Sequence, residues 1–196
     1  MSSDESFSTL LNAMKRAAAS LRDHDIEFAL AGGLAVYARG GAATEHDVDF
    51  LLRREDAETA LRLLSESGFE SERPPEGWLF KVHDSDGAMI DLIFAPNNEP
   101  EAVDGILARA EELEVYAIRL KVMSVTDVLA SKLLALKEHE VDYEDVMEVA
   151  RALREQVDWP LLRKRTEASP YAKAFFTLAD ELGVSAEPDP APGDGD

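Results

Sequence analysis

The sequence contains no cysteine. That absence excludes disulfide bonds, zinc–thiolate sites and thiol nucleophiles. No apolar run approaches the roughly 20 residues that a membrane-spanning helix needs. The opening "MSSDESFSTLL" also lacks the basic-then-apolar order of a secretory signal. We therefore expect a cytoplasmic protein that does not interact with a membrane.

Basic residues are scarce. The chain has 20 Lys and Arg against 40 Asp and Glu, a formal net charge of −20, and residues 1–116 carry 24 of the acids but only 10 of the bases. A surface this acidic argues against broad binding to duplex DNA, which needs positive charge. It is compatible with a small anionic ligand when metal cations bridge carboxylates to phosphates. A generally acidic proteome would also explain much of the surplus.

The 196 residues are enough for one compact domain, and 45% of them are hydrophobic. Strand-like and helix-like patterns alternate through the first two thirds of the chain, and helical patterns alone follow after Ser124. We predict an α+β fold with a small mixed β-sheet flanked by helices and a helical C-terminal part. Within it, residues 77–94 predict a hairpin around an Asp86-Gly87 turn, residues 99–113 a helix and residues 114–123 a strand.

Two aspartates lie one residue apart at the start of an apolar run, in "HDVDFLL". Side chains alternate along a strand, so Asp47 and Asp49 project from the same face. They repel unless a positive charge lies between them, and a hard cation such as Mg²⁺ suits two carboxylates. Asp91, within the apolar "MIDLIF", could converge on the same site. The alternatives are a turn-forming Asp47 and an Asp49 paired with an arginine.

A glycine pair, Gly32-Gly33, lies between a predicted strand and a predicted short helix. At such a junction the backbone N–H groups can approach a phosphate closely. The chain thus has, in order, a strand, Gly-Gly, a short helix, Asp-x-Asp and a later strand with a single Asp.

This order resembles the polymerase-β-like nucleotidyltransferase superfamily. The stretches "FALAGGLAVYARGGAATEHDVDFLL", "EGWLFKVHDSDGAMIDLIF" and "SVTDVLASKLLALKEHEVDYEDV" are most similar to its minimal bacterial and archaeal members, some of which are toxins of toxin–antitoxin systems. The resemblance implies a nucleotidyltransferase core over residues 1–122 and a helical subdomain over 123–184. The remaining residues, 185–196, are rich in Pro, Gly and Asp and predict a disordered acidic tail.

The resemblance implies a metal-dependent enzyme that moves NMP from an NTP, such as ATP, to a hydroxyl of an acceptor. Asp47, Asp49 and Asp91 would be catalytic and would bind Mg²⁺ or Mn²⁺, with Asp91 also helping to deprotonate the acceptor. The nucleotide-binding residues would be Gly32, Gly33, Thr44 and Lys132. Lys132 could equally be a solvated lysine.

The acceptor is left open between a small molecule, a protein and a tRNA. Many relatives have Arg-x-Thr just before Asp-x-Asp, whereas this chain has "AATEH" there, with Thr44 shifted by one position. This departure keeps two alternatives open. One is a nucleotide-binding module with reduced catalysis, and the other is a toxin–antitoxin component acting through an antitoxin protein.

Overall fold

The computed structural model describes residues 3–42 and 47–185, and it has the predicted α+β fold. These residues form eight α-helices: α1 (Ser3–Arg22), α2 (Gly32–Ala38), α3 (Arg54–Glu66), α4 (Ala102–Arg109), α5 (Val125–Ala135), α6 (Glu144–Ala152), α7 (Trp159–Arg165) and α8 (Pro170–Glu181). They also form seven strands: β1 (Phe28–Leu30), β2 (Val48–Leu52), β3 (Glu70–Glu72), β4 (Leu79–His83), β5 (Met89–Ile93), β6 (Glu111–Val115) and β7 (Ile118–Val122).

The seven strands form one mixed sheet in the order β3-β4-β5-β2-β1-β7-β6. The central strand β2 pairs in parallel with β5 and antiparallel with β1. Strand β1 in turn pairs in parallel with β7. Residues from the two carboxylate-bearing segments of the sequence therefore lie on neighbouring strands in the middle of the sheet.

Side chains alternate between the two faces of the central strands, so the apolar residues face the core and the aspartates face the site. On β2, Val48 and Phe50 are fully buried, and on β5 the same holds for Ile90 and Leu92. The aspartates lie between these apolar residues and project to the opposite face. Burying the apolar side chains stabilises the sheet by about 2 kcal/mol each and fixes which face carries the charges.

The β4–β5 hairpin is present, but its turn is longer by one residue than a two-residue Asp86-Gly87 turn. The N–H of Asp84 donates to the carbonyl of Ala88 at 2.8 Å, and Gly87 N–H donates back to the Asp84 carbonyl at 3.0 Å. Gly87 has a φ of +89°, the left-handed conformation that closes a three-residue loop. This extra residue places Lys81 opposite Asp91.

The helix predicted over residues 99–113 ends early. Helix α4 stops at Arg109, and Glu111–Val115 forms β6, which pairs with β7 in a hairpin that the pattern did not indicate. The turn residues Tyr116 and Ala117 have φ values of +49° and +65° without a glycine. Because such turns usually contain Gly or Asn, composition gave no signal for this one.

The last three helices, α6, α7 and α8, pack around α5, which also packs against α2. Helices α5, α7 and α8 each begin after a capping residue, since Ser124, Asp158 and Ser169 accept hydrogen bonds from the N–H groups of Asp127, Leu161 and Ala172. One continuous cluster of buried side chains extends from Leu10 on α1 to Val184 beyond α8. The division at residues 122 and 123 stays a prediction, and residues 186–196 lie outside the described residues.

None of the helices in residues 3–42 and 47–185 is both long enough and apolar enough to cross a membrane.

Candidate functional site

The three predicted aspartates come together. Asp49 on β2 lies directly opposite Asp91 on β5 in the parallel pairing, and Asp47 immediately precedes β2. One carboxylate oxygen from each residue lies within 4.8 Å of those from the other two. Three carboxylates at this spacing form a set of oxygen ligands on one face of the sheet.

Gly32 packs against the central carboxylate. A β-carbon at position 32 would come within 1.8 Å of Asp49 Oδ2, and the φ of Gly32 is +55°. The backbone here is also tied to β2, because Ala31 N–H donates to the Asp49 carbonyl at 2.8 Å. Only glycine satisfies both the left-handed backbone and the contact. Gly32 is thus required by the carboxylate site itself, and it begins α2 with Gly33 as the next residue.

The electrostatics of the site disfavour full ionisation. Burial raises the pKa of Asp49 to about 7, and the charges of Asp47 and Asp91 add to the shift. Burial likewise raises the pKa of Asp91, while Lys81 acts in the opposite direction. A nearby cation therefore stabilises the ionised form of these desolvated, mutually repelling carboxylates more than that of solvent-exposed ones.

Lys81 also lies at the site, although the sequence alone does not show which residue it faces. Its Nζ donates to both carboxylate oxygens of Asp91, at 2.8 and 2.9 Å. The register puts Lys81, Asp91 and Asp49 in one row across β4, β5 and β2. Gly87 is only a partial signal for this contact: glycine at the left-handed position of a three-residue loop aligns Lys81 with Asp91, but glycine suits a two-residue turn as well.

Lys132 lies on α5 within electrostatic reach of the carboxylates, and its charge lowers the pKa of Asp49 against the larger raising effects. Its Nζ is 4.0 Å from an oxygen of Asp145 on α6, and a third of its side chain is exposed. Thr44 lies outside the described residues, as do its neighbours Ala43, Glu45 and His46.

The arginine that most nearly precedes Asp47 in the sequence, Arg39, has partners away from the site. It donates to the carbonyls of Met123 at 2.6 Å and Val122 at 3.0 Å, and to Glu111 at 2.8 Å. Its side chain is 7% exposed. Arg39 therefore links the end of α2 to β6 and to the end of β7, and these contacts occupy its guanidinium group.

Away from the site, a charge is buried at the start of α5. Asp127 is fully buried and accepts hydrogen bonds from Arg109 on α4 at 2.8 and 3.1 Å, from Arg165 on α7 and from Ser124 Oγ at 2.6 Å. Ser124 lies three residues before Asp127, which is the spacing of a helix cap, whereas the two arginines are distant in sequence. The cluster joins helices that are distant in sequence, and its role is structural.

A groove of about 500 Å³ lies at the other end of α2 and is lined by Tyr37, Ala38, Gly40, Gly41, Glu114, Val115 and Tyr116. The rings of Tyr37 and Tyr116 stack at 5.6 Å between centroids with an interplanar angle of 5°. Because α2 has seven residues, it separates this groove from the carboxylates by roughly 10 Å. The groove is therefore close to the carboxylate site but does not contain any of the three aspartates.

The family comparison fits this geometry. Residues 5–180 match the family described as "Uncharacterised nucleotidyltransferase". The chain belongs to this nucleotidyltransferase family. The match spans nearly all of the described residues, so the family includes both the sheet and the C-terminal helices. A comparison with curated proteins finds no match.

Solved structures with the same fold are distant in sequence. The solution structure of the antibiotic-resistance factor ANT(2'')-Ia matches with a TM-score of 0.60 at 15% identity, over 92% of this chain and 100% of its own. An antigenic nucleotidyltransferase-like protein from Paracoccidioides brasiliensis matches with 0.57 at 18%, over 94% and 93%. The lincosamide antibiotic adenylyltransferase LnuA, with lincomycin bound, matches with 0.53 at 13%, over 74% and 97%. At these identities the likeness shows the fold alone.

Nucleotidyltransferases generally use divalent metal ions, and the residues present fit such ions. The donor set consists of carboxylate oxygens only, which Mg²⁺ and Mn²⁺ prefer. The raised pKa of Asp49 marks a place where a cation would relieve repulsion. The three carboxylates thus fit the divalent ions that nucleotidyltransferases generally use.

Proposed function

We propose that this nucleotidyltransferase transfers a nucleoside monophosphate from an NTP to a hydroxyl of a small-molecule acceptor, with divalent cations held by Asp47, Asp49 and Asp91. The observation that carries the proposal is the convergence of these three carboxylates, within 4.8 Å of one another, beside the glycine start of α2. Bound cations would stabilise the charge that develops on the attacking and leaving oxygens.

The surrounding residues supply binding and orientation. The N–H groups in the first turn of a helix have no partners within the helix, so Gly32 and Gly33 can bind phosphate oxygens. Lys132, on the neighbouring helix α5, brings a positive charge close enough to lower the pKa of Asp49, and we assign it a role in binding the phosphates. Thr44 is proposed as a further nucleotide contact from the resemblance.

The reaction is a single displacement. The acceptor O–H gives its proton to Asp91 while its oxygen forms a bond to the α-phosphorus of the NTP. The bond between the α-phosphorus and the oxygen leading to the β-phosphorus breaks, and pyrophosphate leaves. Transfer of this kind depends mainly on positioning and charge stabilisation, and the carboxylates on the neighbouring central strands would supply both.

Charge favours a small acceptor over a tRNA. The chain has a formal net charge of −20, and residues 1–116, which contain the three carboxylates, hold 24 acids against 10 bases. A tRNA would bring many phosphates towards this surface, which opposes binding. The lincosamide adenylyltransferase, which shares the fold, is named for an antibiotic acceptor. We therefore propose a neutral or cationic hydroxyl compound.

Incubation with each α-³²P-labelled NTP tests the function directly. Reactions contain Mg²⁺ or Mn²⁺ and one acceptor pool at a time: hydroxyl-bearing antibiotics, total tRNA or total protein. We expect label transfer to the small molecules, and loss of transfer in Asp47→Ala and Asp91→Ala. Asp86→Ala, in the exposed hairpin turn, is the matched control and should keep full activity.

Other outcomes identify the alternatives. Tight NTP binding without transfer to any pool would identify a binding module with reduced catalysis. Transfer to tRNA, or tight association with a protein encoded by a neighbouring gene, would point to a toxin–antitoxin component and contradict the small-molecule acceptor. Absence of both metal and nucleotide binding would contradict the proposed function as a whole.

A further inference from the structure

Lys81 makes a two-point contact with Asp91, one of the three proposed cation ligands. Its ammonium nitrogen is 2.8 Å from one carboxylate oxygen and 2.9 Å from the other. A position nearly equidistant from both oxygens is the one that an ion chelated by the carboxylate would take. The contact is sheltered, since the Lys81 side chain is 24% exposed and that of Asp91 10%.

The strand register holds this arrangement in place. Lys81 and Asp91 are direct partners in the antiparallel β4–β5 pairing, and Asp91 and Asp49 are direct partners in the parallel β5–β2 pairing. Cross-strand neighbours have β-carbons about 5 Å apart, so Lys81 reaches Asp91 without crossing to Asp49. The side of Asp91 that faces Asp49 and Asp47 thus stays available for an ion.

The charges of Lys81 and the three aspartates determine how strongly the site attracts a metal ion. Three carboxylates alone would attract a free divalent cation strongly, whether or not a nucleotide is present. The ammonium group of Lys81 offsets part of this negative charge. Because the site is partly desolvated, the ammonium group also repels an incoming metal cation strongly at short range. An NTP that arrives with its cation brings compensating negative charge, so the same repulsion matters less.

We propose that Lys81 is a positioning residue that lowers the affinity of the carboxylate site for a free divalent cation and so makes cation loading depend on the nucleotide. The proposal rests on the proposed function, because it takes the three aspartates as the cation ligands. Lys81 also keeps Asp91 oriented, through its two hydrogen bonds, before the cation–nucleotide complex arrives. The site would thereby bind the substrate complex in preference to the ion alone.

Mn²⁺ binding, measured by titration calorimetry and by the electron paramagnetic resonance signal of free Mn²⁺, tests this inference. Each protein is titrated without nucleotide and then with a non-hydrolysable NTP analogue. We expect Lys81→Met to bind free Mn²⁺ about tenfold more tightly than the wild type. With the analogue present, the difference should fall to about twofold or less. Lys121→Met, which removes a lysine on β7 that pairs with Glu27, is the matched control and should change neither value.

A purely structural role for Lys81 predicts no gain in Mn²⁺ affinity when the lysine is removed. If Lys81 only keeps Asp91 ordered, a folded Lys81→Met protein would bind Mn²⁺ as well as the wild type or more weakly, and that result would overturn the inference. Lys81→Gln keeps a hydrogen-bond donor without the charge. If circular dichroism shows that Lys81→Met does not fold, the Mn²⁺ affinity of Lys81→Gln is measured in its place.

Failure of the proposed function gives a different result. Absence of Mn²⁺ binding in the wild type and in both variants, with and without the analogue, would overturn the metal site and this inference with it. Binding by the wild type that is unaltered in Lys81→Met and Lys81→Gln would overturn the inference about Lys81 alone.

Discussion

Gly32 and Asp49 are in such close contact that no residue with a side chain fits at position 32. A β-carbon there would lie 1.8 Å from Asp49 Oδ2, far inside van der Waals contact, and the backbone has a φ of +55°. The glycine that begins α2 and the carboxylate at the centre of the site therefore depend on each other. Their contact links phosphate binding to cation binding in the proposed function.

Gly32→Ala is predicted to damage both stability and cation binding. The left-handed backbone alone costs about 1 kcal/mol with alanine, and displacement of Asp49 adds a further 1–3 kcal/mol, roughly. Urea denaturation measures the loss, and calorimetry should show Mn²⁺ binding weakened at least about tenfold. Gly77→Ala is the matched control, because Gly77 has a φ of +73° and nothing within 4 Å of the added carbon. Equal losses in the two variants would contradict the contact as the cause.

Asp49→Asn is predicted to stabilise the metal-free protein above pH 7. Burial raises the pKa of Asp49 to about 7 from an ordinary value of 3.8. Between these two pKa values the folded state binds a proton that the unfolded state has released, so stability falls as pH rises from about 4 to about 7. We expect the Asp49→Asn variant to gain about 1–3 kcal/mol over the wild type at pH 8 and nothing near pH 4.

Chemical denaturation at several pH values, without divalent ions, checks this pH dependence. Asp86→Asn, which removes an exposed charge from the hairpin turn, controls for net charge. A gain of the same size at pH 4 and pH 8, or the same gain in the control, would contradict burial of Asp49 as the origin.

Asp127→Asn is predicted to destabilise the protein without altering the site. Asp127 is fully buried between Arg109 and Arg165, and removing its charge leaves two guanidinium groups without their shared partner. Losses of about 3–5 kcal/mol are typical when a buried ion pair is broken. Asp104→Asn breaks an exposed pair with Arg53 and should cost no more than about 1 kcal/mol. Urea denaturation of both variants measures the difference.

Local patterns predicted the features of the site that depend on one strand or one turn. Alternation placed Asp47 and Asp49 on one face, and the glycine pair marked the junction with α2. The contact between Lys81 and Asp91 depends on the hairpin register, and one additional loop residue changes every cross-strand partner. The sequence contains Gly87 but does not state whether the loop has two residues or three.

Two further features had no local signal. The β6–β7 turn uses Tyr116 and Ala117 at positive φ, where turn chemistry favours Asn and Gly, so the hairpin is stabilised by the sheet and not by its own residues. The partners of Asp127 come from α4 and α7, which are brought together only by the packing around α5. Tertiary contacts of this kind cannot be obtained from spacing along the chain.

Lys132→Met is predicted to weaken nucleotide binding while leaving the fold intact. Lys132 acts on the carboxylates from α5, and a third of its side chain is exposed towards solvent, so methionine is tolerated there. Loss of one charged contact to phosphate weakens binding by about tenfold. Calorimetry with an NTP analogue and Mg²⁺ measures the change, and Lys164→Met, on the exposed face of α7, should bind as the wild type does. Unchanged affinity in Lys132→Met would leave Lys132 as a solvated lysine.

The most direct test of the central claim is the anomalous scattering of Mn²⁺ in crystals grown with a non-hydrolysable NTP analogue. We predict anomalous peaks at about 2.0–2.3 Å from carboxylate oxygens of Asp47, Asp49 and Asp91, with the α-phosphate beside them and the other phosphates at Gly32 and Gly33. Peaks only elsewhere on the acidic surface, with Lys81 as the sole cation beside Asp91, would contradict the claim that these three aspartates hold the ions for nucleotidyl transfer.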